Sequence, residues 1–338
     1  MNVLYIGNKN KNNRNNPTGL DTLSVQLSEF LNVQAKSNKK NKFYRMIDMI
    51  FAILVNKNNA HFVLIDTYSS KGFYFALISS LLCIVLNMKY ILILRGGNLE
   101  YRLKNYTFLS RLIFSNSYLN IAPSLFMKQI FNNYGFKTKY IPNNIEISNY
   151  RFRDRIGFDN PKLLWVRSFH EIYNPLMAIR VLKNVLEKYE NAQLCMVGPE
   201  KDKTIHDCKK LVNELGIVDK VKFTGKLKKN EWAQLSKDFN IFINTTNFDN
   251  LPISVVEAMA LGIPIVSTNA GGLKYLLDNN FDSLVVDKND VDGMSRNVIR
   301  IFENSDLSKK LSENGLKKAL QFDWSYSKKL WEEVFFKK

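Results

Sequence analysis

Short, dense apolar runs alternate along this chain with longer segments in which apolar residues recur every three or four positions. The runs at 3–6, 62–65, 90–94, 120–123, 163–166, 193–197, 221–224, 241–243, 263–266 and 284–286 predict buried strands. The periodic segments between them predict helices, among them one carrying Leu20, Leu23, Leu27 and Leu31, and one carrying Met177, Val181, Leu182 and Val185. Further helices are expected at 124–131, 229–237, 254–261, 290–302 and 307–320. Strand and helix in repeated alternation predict a parallel, doubly wound α/β sheet in each half of the chain.

Two segments leave more than one reading open. Residues 43–55 are apolar on one face and follow Lys39, Lys40 and Lys42, with Arg45 near their start, so they fit either a core helix or a helix on a membrane surface. The longest apolar run, 73–88, falls short of the roughly 20 residues needed to span a bilayer and is expected to pack as a buried helix.

The most informative stretch is 241–275. A strand (Ile241, Phe242, Ile243) runs into a polar loop at 244–250, and Pro252 then suits the first turn of a helix. Gly262 supplies a left-handed cap, Pro264 prevents continuation, and Ile265 and Val266 begin the next strand. Asp249 sits in the loop and Glu257 in the helix. A helix start offers unpaired amides and about half a positive elementary charge, which suits a phosphate, and flanking acids suit sugar hydroxyls.

This segment resembles the Glu-x7-Glu signature of family four of the retaining glycosyltransferases, with Asp249 at the first glutamate, Glu257 at the second, and Gly271-Gly272 at family positions. The resemblance implies that Asp249 faces the donor sugar, Glu257 takes the ribose hydroxyls, and the amides of Asn250, Leu251, Pro252 and Ile253 surround the diphosphate. It runs over nearly the whole chain and is strongest from 163 to 272.

Other landmarks are read beside it. Gly19, before the first helix, is either a contact to the donor or a simple turn. Arg95-Gly96-Gly97-Asn98 follows a strand, where open α/β sheets place ligands; relatives carry a histidine near Arg95, so that histidine's role does not transfer. The element Ile141-Pro142-Asn143-Asn144-Ile145 matches the family's closing element of the first domain, with Asn144 for a glycine, a residue that tolerates positive φ. The polar segment 149–160 is expected to be a linker. Arg167, at the end of a strand, matches the arginine that steadies the leaving diphosphate. The lysine expected five residues later is Ile172, so either Arg167 and the helix amides suffice or His170 or Arg95 adds a cation. Gly198-Pro199 and Lys226-Leu227 are placed near the nucleotide, and Tyr275 stands where a glutamate is usual.

Length and charge narrow these readings. A chain of 338 residues suggests two domains of about 150 residues each. With 46% hydrophobic and 23% charged residues, its composition is that of a soluble globular protein. Cys83, Cys195 and Cys208 lack metal-ligand spacing, and the start has too short an apolar run for a secretory signal, so a reduced cytoplasmic setting is the expectation. The net charge of +17 is uneven: residues 1–150 hold 18 Lys/Arg against 6 Asp/Glu, and residues 151–338 hold 30 against 25. A basic first half fits an anionic partner, such as a phospholipid surface or a pyrophosphate-linked lipid, or else simple solubility charge.

These readings combine into an α/β chain of GT-B fold, two Rossmann-like doubly wound domains facing across a cleft. The domains are expected at 1–150 on the acceptor side and at 151–322 for the nucleotide sugar, with the aromatic tail at about 323–338 packing back on the first. The implied activity is retaining transfer of a sugar from a nucleotide diphosphate sugar to a hydroxyl on a glycan or lipid-linked acceptor, as in bacterial surface polysaccharide synthesis at the inner face of the cell membrane. No cofactor or metal is expected. A sugar-nucleotide epimerase of the same fold and a non-catalytic sugar-nucleotide binder are the alternatives. A nucleic-acid binder fits the charge alone, and no basic helix interleaved with aromatic residues supports it.

Overall fold

The computed structural model describes residues 1–9, 18–95 and 97–337; Gly96, expected beside the ligand, lies outside them. The chain divides into two compact units, Met1–Pro142 with Lys328–Lys338, and Asn143–Ser327.

The first unit is built on strands β1 (Asn2–Ile6), β2 (Asn32–Lys36), β3 (Phe62–Thr67), β4 (Tyr90–Leu94), β5 (Leu119–Ala122) and β6 (Thr138–Tyr140). They form one parallel sheet in the order β2-β1-β3-β4-β5-β6, with Leu4 opposite Val63 and Ile65 opposite Leu92. Helices α1 (Gly19–Leu27), α2 (Lys42–Val55), α3 (Phe73–Val85), α4 (Leu99–Asn105), α5 (Thr107–Phe114) and α6 (Leu125–Asn133) connect them. The strands β1, β3, β4 and β5 are buried on both faces, which is why they read as continuous apolar runs. Edge strand β2, Asn-Val-Gln-Ala-Lys, is half exposed and left no such run. Ser124 caps α6 by accepting a hydrogen bond from the Met127 amide.

The second unit carries β7 (Lys162–Val166), β8 (Gln193–Val197), β9 (Val221–Gly225), β10 (Ile241–Asn244), β11 (Ile265–Thr268) and β12 (Leu284–Val286) in the order β12-β11-β10-β7-β8-β9, again all parallel. Its helices are α7 (Pro175–Leu186), α8 (Thr204–Glu214), α9 (Lys229–Leu235), α10 (Ile253–Ala260), α11 (Leu273–Leu276), α12 (Val291–Glu303) and α13 (Ser305–Leu320). Helix α14 (Trp324–Phe336) begins in this unit, and from Lys328 it belongs to the first, where Phe335 meets Phe62 edge-on at 5.5 Å and Lys139 pairs with Glu333 at 2.9 Å.

The sheet order of the second unit reverses between β7 and β10. In a doubly wound sheet the helices before and after such a reversal lie on opposite faces, so the loops at those strand ends diverge and leave a crevice for a ligand. The loops after β7 and β10 therefore flank the position where chemistry is expected.

Two expectations are corrected. Segment 149–160 is fastened rather than free: Arg155 is buried and donates to the carbonyls of Ser236, Phe239 and Leu261. Burial, with Arg153 nearby, lowers the Arg155 pKa to about 10. Asn144 is not in the left-handed region; among the described residues the asparagines with positive φ are Asn87, Asn174, Asn280 and Asn289.

Candidate active site

Arg167 directly follows β7, and its guanidinium makes an ion pair with Asp249 in the loop after β10. Three features hold it there. The Tyr173 ring lies 4.7 Å from the guanidinium carbon, a cation–π contact. Trp165 on β7 donates to the Thr245 hydroxyl at 3.0 Å, and that hydroxyl is 2.9 Å from the carbonyls of Tyr173 and Asn174, tying the two loops together. Gly198 passes so close that a Cβ there would sit 1.7 Å from the Arg167 carbonyl oxygen, so a glycine is required at that point.

The loop carrying Asp249 is shaped by the glycine pair. Gly272 donates to the Asp249 carbonyl at 2.7 Å, and a Cβ on Gly272 would lie 1.8 Å from the Asn250 carbonyl oxygen. Gly271 has φ of +57°, a backbone that side chains disfavour. Asp249 Oδ1 accepts from the Leu251 amide at 3.1 Å, so that amide, expected to face the diphosphate, is committed to its own loop. Helix α10 starts at Ile253, with Pro252 one position earlier than expected, as the capping residue. The amides of Ile253 and Ser254 precede the first helical bond, which the Val255 amide makes to the Pro252 carbonyl at 3.0 Å.

A cavity of about 240 Å³ opens here, lined by Arg167, Tyr173, Gly198, Pro199, Lys226, Leu227, Lys229, Trp232 and Ser254. Two buried polar atoms beside it have no partner, Arg167 Nε and Ser254 Oγ. A buried donor without an acceptor costs about 1–3 kcal/mol, and a bound anion would remove that cost. One turn further along α10, Glu257 is 4% exposed; its Oε1 accepts from the Tyr150 hydroxyl at 2.6 Å and from Lys229 Nζ at 2.8 Å. Burial and then the Glu257 carboxylate hold the Tyr150 phenol well above its ordinary pKa, so the phenol remains the donor.

Of the residues expected to act together, Arg167, Gly198, Pro199, Lys226 and Leu227 line this cavity, and Asp249 and Glu257 are bonded to its lining residues. Lys229, Tyr150 and Ser254 carried no signal in the sequence, because a lysine opening a helix reads as surface charge and a tyrosine in an apparent linker reads as neither core nor site. Position 172 ties loops together through its backbone, the Ile172 carbonyl accepting from the Asn247 amide at 2.8 Å and from Thr246 Oγ1 at 3.2 Å.

The other expected residues lie elsewhere. His170 caps the turn at Glu171–Tyr173, its Nδ1 accepting from the Ile172 amide at 3.2 Å, and does not line the cavity. Arg95 is enclosed within the first unit: Nε donates to Asp66 at 3.0 Å, and Nη2 donates to the Tyr5 hydroxyl at 3.0 Å and to the Gly19 carbonyl at 3.3 Å. Burial acts to lower the Arg95 pKa, but Tyr5 and Asp66 outweigh it and hold it above its ordinary value. A Cβ on Gly19 would stand 3.0 Å from the Arg95 guanidinium carbon, so a side chain there would press on the end of that arginine. Gly97 and Asn98 lead into α4, with no hydrogen bond from the Asn98 side chain to the cap.

Two parallel six-stranded sheets, each with helical crossovers, define the GT-B class of α/β proteins. The chain belongs to the group 1 glycosyl transferases, whose family model matches residues 146–318, just over half its length. It is 31% identical over 147 residues to an uncharacterized glycosyltransferase of Methanocaldococcus jannaschii, covering 39% of this chain and 34% of that protein. It is 28% identical over 122 residues to the lipopolysaccharide core biosynthesis glycosyltransferase LpsE of Rhizobium meliloti, covering 35% and 33%. The matches thus span about a third of the length of these curated relatives. The structure of Anabaena HepE in complex with UDP superposes with a TM-score of 0.80 at 14% identity, covering 99% of both chains.

Proposed function

We propose that the chain transfers a sugar, with retention of anomeric configuration as in family four, from a nucleotide diphosphate sugar to a hydroxyl on a glycan or lipid-linked acceptor of a surface polysaccharide, at the inner face of the cell membrane. The observation that carries this reading is the cavity at the sheet reversal of the second unit, with the Arg167 Nε donor buried and unpartnered beside Lys226 and Lys229. HepE has also been crystallised with UDP-glucose, and the present cavity has the residues such a ligand would need.

In this reading the diphosphate sits against Arg167, Lys229 and the amides of Ile253 and Ser254. Negative charge accumulates on it as the bond to the anomeric carbon breaks, and preorganised donors stabilise that charge without reorganising. The acceptor oxygen attacks from the face that the diphosphate leaves and gives its proton to the departing phosphate oxygen, which retains configuration. Asp249, fixed by Arg167 and the Leu251 amide, orients the donor sugar. Glu257 takes the ribose hydroxyls, and Lys229 stands in for the lysine absent at Ile172. Because side-chain cations meet the diphosphate charge, turnover is expected to continue in EDTA.

The test is a donor and acceptor screen read by release of the nucleoside diphosphate and by proton NMR of the product's anomeric signal. Product with the donor's configuration, formed only when acceptor is present, supports the reading. Inverted product, or a donor sugar altered without acceptor, overturns it.

A further inference from the structure

Helix α2 places a row of large apolar side chains in solvent. Phe43, Ile47, Phe51 and Val55 recur at every fourth position, with Tyr44 and Leu54 beside them, and Phe43 and Phe51 are 70% and 64% exposed. The opposite side of the helix, Met49, Ala52 and Ile53, is buried in the core of the first unit. One helix therefore carries two apolar faces, of which the fold covers one. An isolated exposed leucine needs no explanation, but a contiguous stripe does.

Lys39, Lys40 and Lys42 stand exposed at the N-terminal end of this stripe, and none makes an ion pair among the described residues. Arg45 fixes the segment that bears them, donating from Nε to the Lys39 carbonyl at 2.8 Å. Lys39, Lys40, Tyr44, Ile47 and Phe51 share the walls of one open groove. The acid of this face, Asp48, is met by Lys36 at 3.9 Å. The neighbouring helix α3 adds Tyr74 and Ile78, both exposed, and its Phe75 lies under the Arg45 guanidinium.

We propose that this face of α2 is a docking surface for an anionic phospholipid bilayer: the aromatic and aliphatic stripe enters the headgroup boundary while Lys39, Lys40 and Lys42 meet the lipid phosphates. An apolar stripe flanked by basic side chains is the arrangement that lies in a membrane interface, and each basic residue near an anionic surface multiplies partitioning by about fivefold. Charge argues against a second copy as occupant. The unit that bears the helix has 22 Lys/Arg against 7 Asp/Glu, a net +15, and two such surfaces repel. The inference names the surface behind the membrane location in the proposed function, and rests on that reading only for its purpose.

The test is co-sedimentation of the full chain with vesicles of phosphatidylglycerol and phosphatidylcholine in equal parts, or of phosphatidylcholine alone, with UDP titration in parallel. Expected are binding to the anionic vesicles, loss of most of that binding in high salt, and little binding to the neutral ones. Phe43→Ser/Phe51→Ser and, separately, Lys39→Gln/Lys40→Gln/Lys42→Gln each lower partitioning at least tenfold while UDP binding and Tm stay unchanged, since all five side chains are exposed. Equal binding to both vesicle types, wild-type binding by both variants, absence of vesicle binding by a chain that binds UDP, or a dimer that Phe43→Ser/Phe51→Ser dissolves would each overturn it. Failure to bind UDP with vesicle binding intact counts against the donor site alone.

Discussion

Each unit sets an arginine immediately after a strand of its sheet and gives it an aspartate partner, yet the two arginines differ in what is left over. Arg95 is enclosed by Asp66, Tyr5 and the Gly19 carbonyl, and the spare buried atom beside it is an acceptor, Asp66 Oδ2. Arg167 pairs with Asp249 and rests on Tyr173, and the spare atom is a donor, its own Nε. The same pair of residue types thus completes a core in one unit and leaves a buried donor without a partner in the other. The surfaces invert this: the first unit is strongly basic at +15 and carries the uncovered stripe of α2, while the second is close to neutral at +2.

Removing each arginine in turn challenges this contrast hardest. Arg167→Ala is expected to lower turnover about 100- to 1,000-fold, as for loss of one preorganised donor. Its Tm should hardly move, because Asp249 is partly solvated. Arg95→Ala leaves the Asp66 carboxylate buried without its cation and should cost about 3–5 kcal/mol of stability. Thermal unfolding and steady-state rates on both variants give the answer, and interchange of the two phenotypes would refute the assignment.

Backbone approach comes next in size. In Gly198→Ala the methyl would meet the Arg167 carbonyl, and in Gly272→Ala the Asn250 carbonyl, so each should cost about 2–4 kcal/mol and weaken donor binding by displacing the loop it supports. Gly135→Ala, at a glycine with φ of +80° and nothing nearby, is the control that separates crowding from φ strain.

How much of this was visible in the sequence depends on the reach of each contact. Arg167, Asp249 and the Gly-Gly pair follow buried strands whose apolar runs mark them, and Glu257 lies on the helix expected between two of those strands, so their places were legible. Tyr150 was not, since it meets a carboxylate 107 positions away and belongs to a segment with no periodicity. Lys229 was hidden because a basic residue at a helix start looks solvated until the partner on another helix is known. Edge strand β2 escaped because half-exposed positions need not be apolar. Residues 43–55 fit two readings because both faces of that helix are apolar, and only the packing separates the covered face from the open one.

Smaller effects refine the contrast. Lys229→Gln should raise KM for the donor about tenfold with a smaller change in kcat, since Lys229 is exposed and pairs with Glu257. A matched rise in the Kd of UDP but not of uridine would place the lysine at the phosphates. The smallest effect concerns the thiols: burial raises Cys83 and Cys208 to about 12 and Cys195 to about 11. Unfolded thiols ionise first as pH rises, so stability is fully present below about pH 8 and is lost as pH passes the unfolded thiol value, by roughly 1–2 kcal/mol per thiol near pH 10. A thiol reagent at pH 8 should find all three unreactive until the chain unfolds.

At the heart of this interpretation a nucleoside diphosphate is held where Arg167 meets the start of α10. Calorimetric titration of UDP, ADP and GDP into the wild-type chain and Arg167→Ala puts that placement to the test. One site per chain is expected for at least one of these nucleotides, with at least tenfold weaker binding in the variant. No binding by the wild type, or equal affinity in both proteins, would contradict it.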